Sequence, residues 1–512
     1  MTSSTTEPRK PSRVRQAVVH NIIYRSLSQL ATALTYVYMV RMLSQDEFGI
    51  YHLFYSIPPV ISAVFSFGIA NALSRYLPEY FNNGQFPLAK SLLAWGMRLR
   101  LVTSILVLSA SLIFWEQFSS LFKIAEYHTY YVLFAATVVT HFQCRLITTS
   151  LSAYLLQQWS MGLTAGFIIV KLIGYVLVAA IDEFSLWTAL VVDLIAYLLW
   201  YVGLAWANKT RIPWTKDKAS FSSTEKRRVI RYGLYNNFND IGTLTLNSRT
   251  DNLFIAAFMS PAFVGAYAFC TQLESMSQKV LPARFFGTIV RPLIFRLDYK
   301  TQSHRVRQYF QFLLRVNYLI LFPIFVFIAS VPDALVMVVF GGKFIEFTSV
   351  LVATFAFSFA SGFNQPVTIV AELAERADII LASKIFAIYN ILANIVLIPA
   401  FGIMGAVVAT GSAILFKNTF IWIFVRKVAN FEGMGRFFAA QLLMWFACFL
   451  LLRTVSTLLP DLYTLLLAGP VMLVAVVISW RITDFSVRDR ELLQKLGGRR
   501  AQKALRFMGV IQ

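Results

Sequence analysis

Charge is the first shortage. Asp, Glu, Lys and Arg together make up 14% of the 512 residues, whereas a soluble globular chain carries about 25%, so most of this chain has a solvent other than water. Acids are scarcer than bases, 25 against 46. Cysteine occurs only as Cys144, Cys270 and Cys448, far apart and each in an apolar run. That spacing excludes a disulfide framework or a cysteine metal site and leaves core packing as their role. The histidines, His20, His52, His128, His141 and His304, are scattered. The sequence has no phosphate-binding glycine loop, no paired catalytic carboxylates and no metal-ligand spacing, so neither an enzyme nor a bound metal or cofactor is expected.

What is present is hydrophobic length. Apolar residues make up 57% of the chain, and runs of about twenty, the length an α-helix needs to cross a hydrocarbon core, recur throughout. About fourteen spans are expected, at 21–40, 50–73, 99–118, 129–149, 161–181, 185–206, 233–258, 264–290, 311–331, 348–370, 379–398, 403–425, 438–458 and 463–480. Barrel strands would be about half as long and strictly alternating, so the fold class is an all-α polytopic membrane protein. Lys and Arg accumulate in cytoplasmic segments. Here alternate connections carry nearly all of them, including the cluster from Lys209 to Arg231 and the run from Arg481 to Arg506, while the opposite connections hold only Arg41, Lys123, Lys343 and Arg453. Both termini are therefore expected in the cytoplasm of a bacterial inner membrane. The formal charge of +21 is spread over short connections and tails, which fits topology and attraction to anionic lipid rather than nucleic-acid binding. No small-residue cleavage site follows the first apolar run, so no removable signal peptide is expected.

Internal similarity divides the spans. Ser44, Gly49 and Tyr51 match Ser260, Gly265 and Tyr267 at an offset of 216, and Ile181, Phe184, Ala189 and Val191 match Ile398, Phe401, Ala406 and Val408 at 217. An offset of six spans preserves orientation, so two parallel six-helix repeats are expected, with a substrate path between them. The expected organisation is a six-helix lobe at 1–206, a basic cytoplasmic loop at 207–231, a second six-helix lobe at 232–430, two additional spans at 431–482 and a basic tail at 483–512.

Several stretches carry a family likeness. Arg41-Met42-Leu43-Ser44-Gln45-Asp46-Glu47-Phe48-Gly49-Ile50-Tyr51, then Phe67-Gly68-Ile69-Ala70-Asn71-Ala72-Leu73-Ser74-Arg75-Tyr76-Leu77-Pro78-Glu79, resembles the opening of polysaccharide-biosynthesis, O-antigen-type flippases. These belong to the multidrug/oligosaccharidyl-lipid/polysaccharide exporter superfamily. Arg249 to Asn252 leading to Tyr267, Pro332 to Ala334 leading to Phe344, and Asn390 with Asn394 leading to Pro399 and Ala406 are similar to later parts of the same family. The resemblance covers roughly residues 15 to 430. It implies a two-lobed bundle that moves a polyprenyl-diphosphate-linked oligosaccharide from the cytoplasmic to the periplasmic leaflet by alternating access, for lipopolysaccharide or exopolysaccharide synthesis. Polymerase and assembly proteins would be its partners.

Charges at membrane depth usually face a cavity or a partner. Arg25, Lys171, Lys279 and Arg284 are the basic candidates for contact with an anionic diphosphate or acidic sugar. The seventh span is unusually polar; Asp240, Thr243 and Asn247 fall on one helical stripe, with Arg249 near the far end, and are expected to line the path. Asp240, Asp251 and Glu274 are candidates for a coupling proton or cation. The nearest rival is a cation-coupled drug antiporter of the same superfamily, which favours buried carboxylates, whereas the basic residues dominate here. A membrane-embedded glycan ligase or polymerase would need a catalytic constellation that the sequence lacks.

Overall fold

A computed structural model describes residues 11–496 except 182, 218, 220, 245, 280–294, 296 and 300. Every regular element among the described residues is helical. The chain divides into two compact units, Met1–Leu244 with Ser260–Ala262, and Thr245–Met259 with Phe263–Gln512.

The first unit holds α1 (Pro11–Met42), α2 (Gln45–Phe54), α3 (Ile57–Phe65), α4 (Ile69–Asn82), α5 (Phe86–Ile113), α6 (Trp115–Phe122), α7 (His128–Ala153), α8 (Gln157–Ile181), α9 (Leu186–Arg211) and α10 (Ser223–Leu244). Helix α1 packs against α8, α8 against α9, and α9 against α7, which also contacts α5 and α4. The Ser-Gln-Asp-Glu motif has a structural use here. Ser44 and Glu47 form a capping box at the start of α2, and the Glu47 Oε1 accepts from the Leu186 amide at 2.9 Å, so one carboxylate ties the starts of two helices. The α3–α4 break is as specific: Phe67 and Gly68 take φ of 49° and 65°, and the Asn237 Oδ1 accepts from the Ser66 hydroxyl at 3.0 Å and the Gly68 amide at 3.1 Å.

The second unit holds α11 (Ser248–Phe258), most of α12 (Pro261–Gln278), α13 (Ser303–Ser330), α14 (Pro332–Phe340), α15 (Thr348–Ala360), α16 (Asn364–Leu373), α17 (Ala377–Ala382), α18 (Ile385–Val425), α19 (Gly435–Leu458), α20 (Asp461–Arg481) and α21 (Val487–Leu496). Helix α18 packs against α11, α15 and α16; α13 packs against α19 and α20. The last two long helices are fastened by a buried amide: the Gln441 Oε1 accepts from the Trp445 indole at 3.0 Å and the Ser479 hydroxyl at 2.7 Å.

Ten helical segments among the described residues are long and apolar enough to cross a membrane. One of them, Ala377–Val425, contains two of the expected spans. The expected spans outside this set are 21–40, 233–258 and 264–290; the second is broken into α10 and α11, and the third runs into residues outside the described set. The architecture is consistent with fourteen crossings.

In α18, Gly402 bends the chain with φ 59° and ψ −142°, a conformation that Cβ sterics all but reserve for glycine. Gly402→Ala is expected to cost about 1–3 kcal/mol. An unchanged melting temperature in detergent would show that the kink relaxes at no cost.

Candidate functional site

The first unit builds a polar centre around Asp193, which lies on α9 and is fully buried. A carboxylate without water needs donors and a counter-charge, and four side chains supply them. The Tyr51 and Tyr55 hydroxyls donate to its Oδ2 at 2.8 and 2.5 Å, and the Tyr175 hydroxyl donates to its Oδ1 at 2.7 Å. The Lys171 Nζ stands 2.7 Å from the same Oδ1 and donates to the Tyr51 hydroxyl at 2.7 Å. Two helical spacings assemble the set. Lys171 and Tyr175 are four residues apart on α8, and Tyr51 and Tyr55 are four apart at the end of α2, so each pair shares a face. The ammonium also lies 5.4, 5.6 and 5.4 Å from the ring centroids of Tyr51, Tyr55 and Tyr175, within cation–π range.

The second unit builds a different centre around Asp251, on α11 and fully buried. Its Oδ2 accepts from the Tyr267 hydroxyl at 2.6 Å and the Thr410 hydroxyl at 2.8 Å, and its Oδ1 accepts from the Asn394 amide at 2.8 Å. The Thr410 hydroxyl also lies 3.0 Å from the Asn390 Oδ1. The Asn394 Oδ1 is buried with no hydrogen-bond partner. Among the described residues no Lys or Arg pairs with Asp251. The centre therefore concentrates side-chain oxygens around one negative charge, the donor set that a small hard cation or a proton takes.

Tyr267 and Thr410 also border a cavity of about 360 Å³ in this unit. Most of the residues that line it carry an amide or a hydroxyl, among them Gln278, Asn317, Ser358, Asn364 and Gln365, and Glu274 lines it too. The Glu274 Oε1 accepts from the Ser358 hydroxyl at 2.6 Å.

The candidate residues read from the sequence scatter. Lys171 is held by Asp193, and Arg25 is exposed on α1. Lys279 is partly buried just past α12. Arg284 and the side chain of Thr243 lie outside the described residues. Asp240 accepts from the Asn71 amide at 2.7 Å, on the helix face that also holds Asn237 against the α3–α4 break. The single stripe expected from Asp240 to Asn247 does not form, because Asn247 leaves the helix and its Oδ1 caps α11 by accepting from the Arg249 amide at 3.1 Å. An Asn side chain that satisfies a free N-terminal amide favours a new helix start over continuation. Arg249 is exposed in the first turn of α11. Glu274 and Asp251 are brought near one another through the cavity wall and Tyr267. Arg315 pairs with Asp489 at 2.6 Å.

Asp193, Tyr55, Tyr175 and Thr410 were not singled out in the sequence. Asp193 carried a usable signal, since it is the lone acid of the apolar run from Leu186 to Ala207. Two fully buried carboxylates also offset the basic bias of the span interiors.

Two compact helical units, each with a buried carboxylate centre, and ten membrane-length helical segments among the described residues define a multi-pass helical membrane protein. The sequence model of the family described as "Polysaccharide biosynthesis protein" matches residues 38–349, and the chain belongs to that family. A probable low-salt glycan biosynthesis flippase, Agl15, of Haloferax volcanii is 23% identical over 390 residues, covering 73% of this chain and 75% of that protein. The lipid II flippase MurJ in an inward closed conformation shares the fold with a TM-score of 0.66 at 12% identity, over 91% of this chain and 99% of that one. An inward-facing multidrug resistance MATE family transporter of the MOP superfamily has a TM-score of 0.58 at 12% identity, over 80% and 97% of the two chains.

Proposed function

We propose that this protein is a flippase that carries a polyprenyl-diphosphate-linked oligosaccharide from the cytoplasmic to the periplasmic leaflet of a bacterial inner membrane by alternating access, with both termini in the cytoplasm. The product would feed O-antigen, lipopolysaccharide or exopolysaccharide assembly, with polymerase and assembly proteins as partners. The observation that carries this reading is the cavity of about 360 Å³ walled by amides and hydroxyls inside an otherwise apolar helical unit. A glycan presents many hydroxyl groups, and such a wall exchanges their hydrogen bonds with water for equivalent ones at membrane depth. Arg25, Lys279 and Arg284 are the cations assigned to the diphosphate. Asp251 is the site assigned to a coupling proton or cation, as its oxygen-rich surroundings suit either.

Reconstituted into proteoliposomes, the chain should expose a fluorescent polyprenyl-diphosphate oligosaccharide to the opposite leaflet, and a strain lacking it should accumulate inward-facing lipid-linked glycan. Absence of both effects sinks the reading. Asp251→Asn is expected to remove any acceleration by a sodium or proton gradient while leaving slow, gradient-independent flipping. An undiminished gradient response would move coupling elsewhere. Glu274 in the cavity wall favours a second reading, antiport of organic cations; gradient-driven uptake of a cationic dye without any glycan flipping would select it.

A further inference from the structure

The two buried centres occupy equivalent places in the internal repeat. Tyr51 and Tyr267 correspond at the offset of 216, and each donates its hydroxyl to a buried carboxylate. Asp193 corresponds to Thr410 at 217, and Asp251 corresponds to Thr35 at 216. A carboxylate and a threonine have thus exchanged places between the repeats. The place that the Lys171 and Tyr175 pair on α8 takes beside its carboxylate is taken in the second unit by Asn390 and Asn394, also four apart, on the first half of α18, although these stand at an offset of 219, two residues out of the repeat register. The substantive difference is at that pair. One repeat supplies an ammonium and a phenol to the carboxylate, and the other supplies two amides, one with a buried oxygen that has no partner.

We infer that the first unit contains a monovalent-cation site permanently filled by the chain's own Lys171, whereas the equivalent centre in the second unit is left to a dissolved ion. The Lys171 Nζ sits 2.7 Å from both the Asp193 Oδ1 and the Tyr51 hydroxyl, inside a cage of three tyrosine rings. Carboxylate, hydroxyl oxygen and aromatic faces are together the chemistry that binds a small ammonium. Covalent attachment keeps its effective concentration high whatever the salt outside, so this centre stays neutral through a transport cycle. A carrier with two equivalent carboxylate centres then has only one that can gain and lose a cation. The inference rests on the coupling role of Asp251 for that last contrast alone.

The test uses the full-length protein purified in detergent, with Asp251→Asn present throughout to silence the second centre. Thermal unfolding is followed in methylammonium, sodium or potassium chloride against N-methylglucamine chloride at constant ionic strength. With Lys171 intact, no saturable cation response is expected. Lys171→Ala should lower the melting temperature, and methylammonium should raise it again in a saturable way. Adding Asp193→Asn to Lys171→Ala should abolish that rescue. The idea fails if Lys171→Ala gains nothing from any of the three cations, or if rescue persists without the Asp193 carboxylate. Should Lys171→Ala not fold, the Lys171-intact background still decides, since a saturable response there would mean that Asp193 takes a dissolved ion despite the lysine. Lack of a cation response in the unmodified chain would instead count against coupling at Asp251 and leave this comparison intact.

Discussion

Asp193→Ala is expected to destabilise the detergent-solubilised protein by about 3–5 kcal/mol, the scale of a buried ion pair that has lost one member. The Lys171 side chain is 13% exposed, so water does little to rehydrate its ammonium. Three tyrosine hydroxyls lose their carboxylate acceptor at the same time, which adds to the cost. Asp193→Asn should cost less, because an amide oxygen still accepts from some of those hydroxyls. The informative comparison is the double change Lys171→Met with Asp193→Leu. Removing both charges leaves no unpaired ion, so the double variant should be more stable than Asp193→Ala. Equal melting temperatures for the two would show that the pair contributes nothing through its charge.

The second large effect is at the break between α3 and α4. A Cβ on Gly68 would lie 1.9 Å from the Gly233 carbonyl oxygen, a backbone atom that cannot rotate aside. Gly68 also has φ of 65°, where a side chain costs about 1–2 kcal/mol. With overpacking of about 1–3 kcal/mol added, Gly68→Ala is expected to lose roughly 2–5 kcal/mol and to reduce folded yield sharply. Gly84 supplies the control. Its φ is 69°, but a Cβ there meets nothing within 4 Å, so Gly84→Ala should show only the conformational part. Equal losses at both positions would mean that the approach of α10 to the break adds nothing to the cost.

Gly68 and Gly233 illustrate how unevenly the sequence can be read. Gly68 is legible only as part of the family-like stretch from Phe67 to Glu79, and nothing in the order of residues shows that its neighbour is Gly233. Asn237 and Asp240 were legible as polar residues within an apolar stretch, and a water-lined path was a natural reading for them. The fold gives them nearer partners, Ser66, Gly68 and Asn71. Lys171 was conspicuous because an ammonium at mid-span is costly. Its partner Asp193 is a single acid in an apolar run, and nothing in residue order links the two.

The sequence by itself determined that this chain is an all-α membrane protein, roughly where its helices run and which family it belongs to. Those properties follow from hydrophobic length and short motifs, which act locally and are written in residue order. Only the tertiary structure decided that Lys171 meets Asp193, that Asp251 gathers Tyr267, Asn394 and Thr410, and that the seventh span breaks at Asn247. Each such pairing joins side chains from different helices, and Asp251 and Thr410 are 159 residues apart. Hydropathy says that a buried charge must find a partner; helix packing alone selects which one it finds.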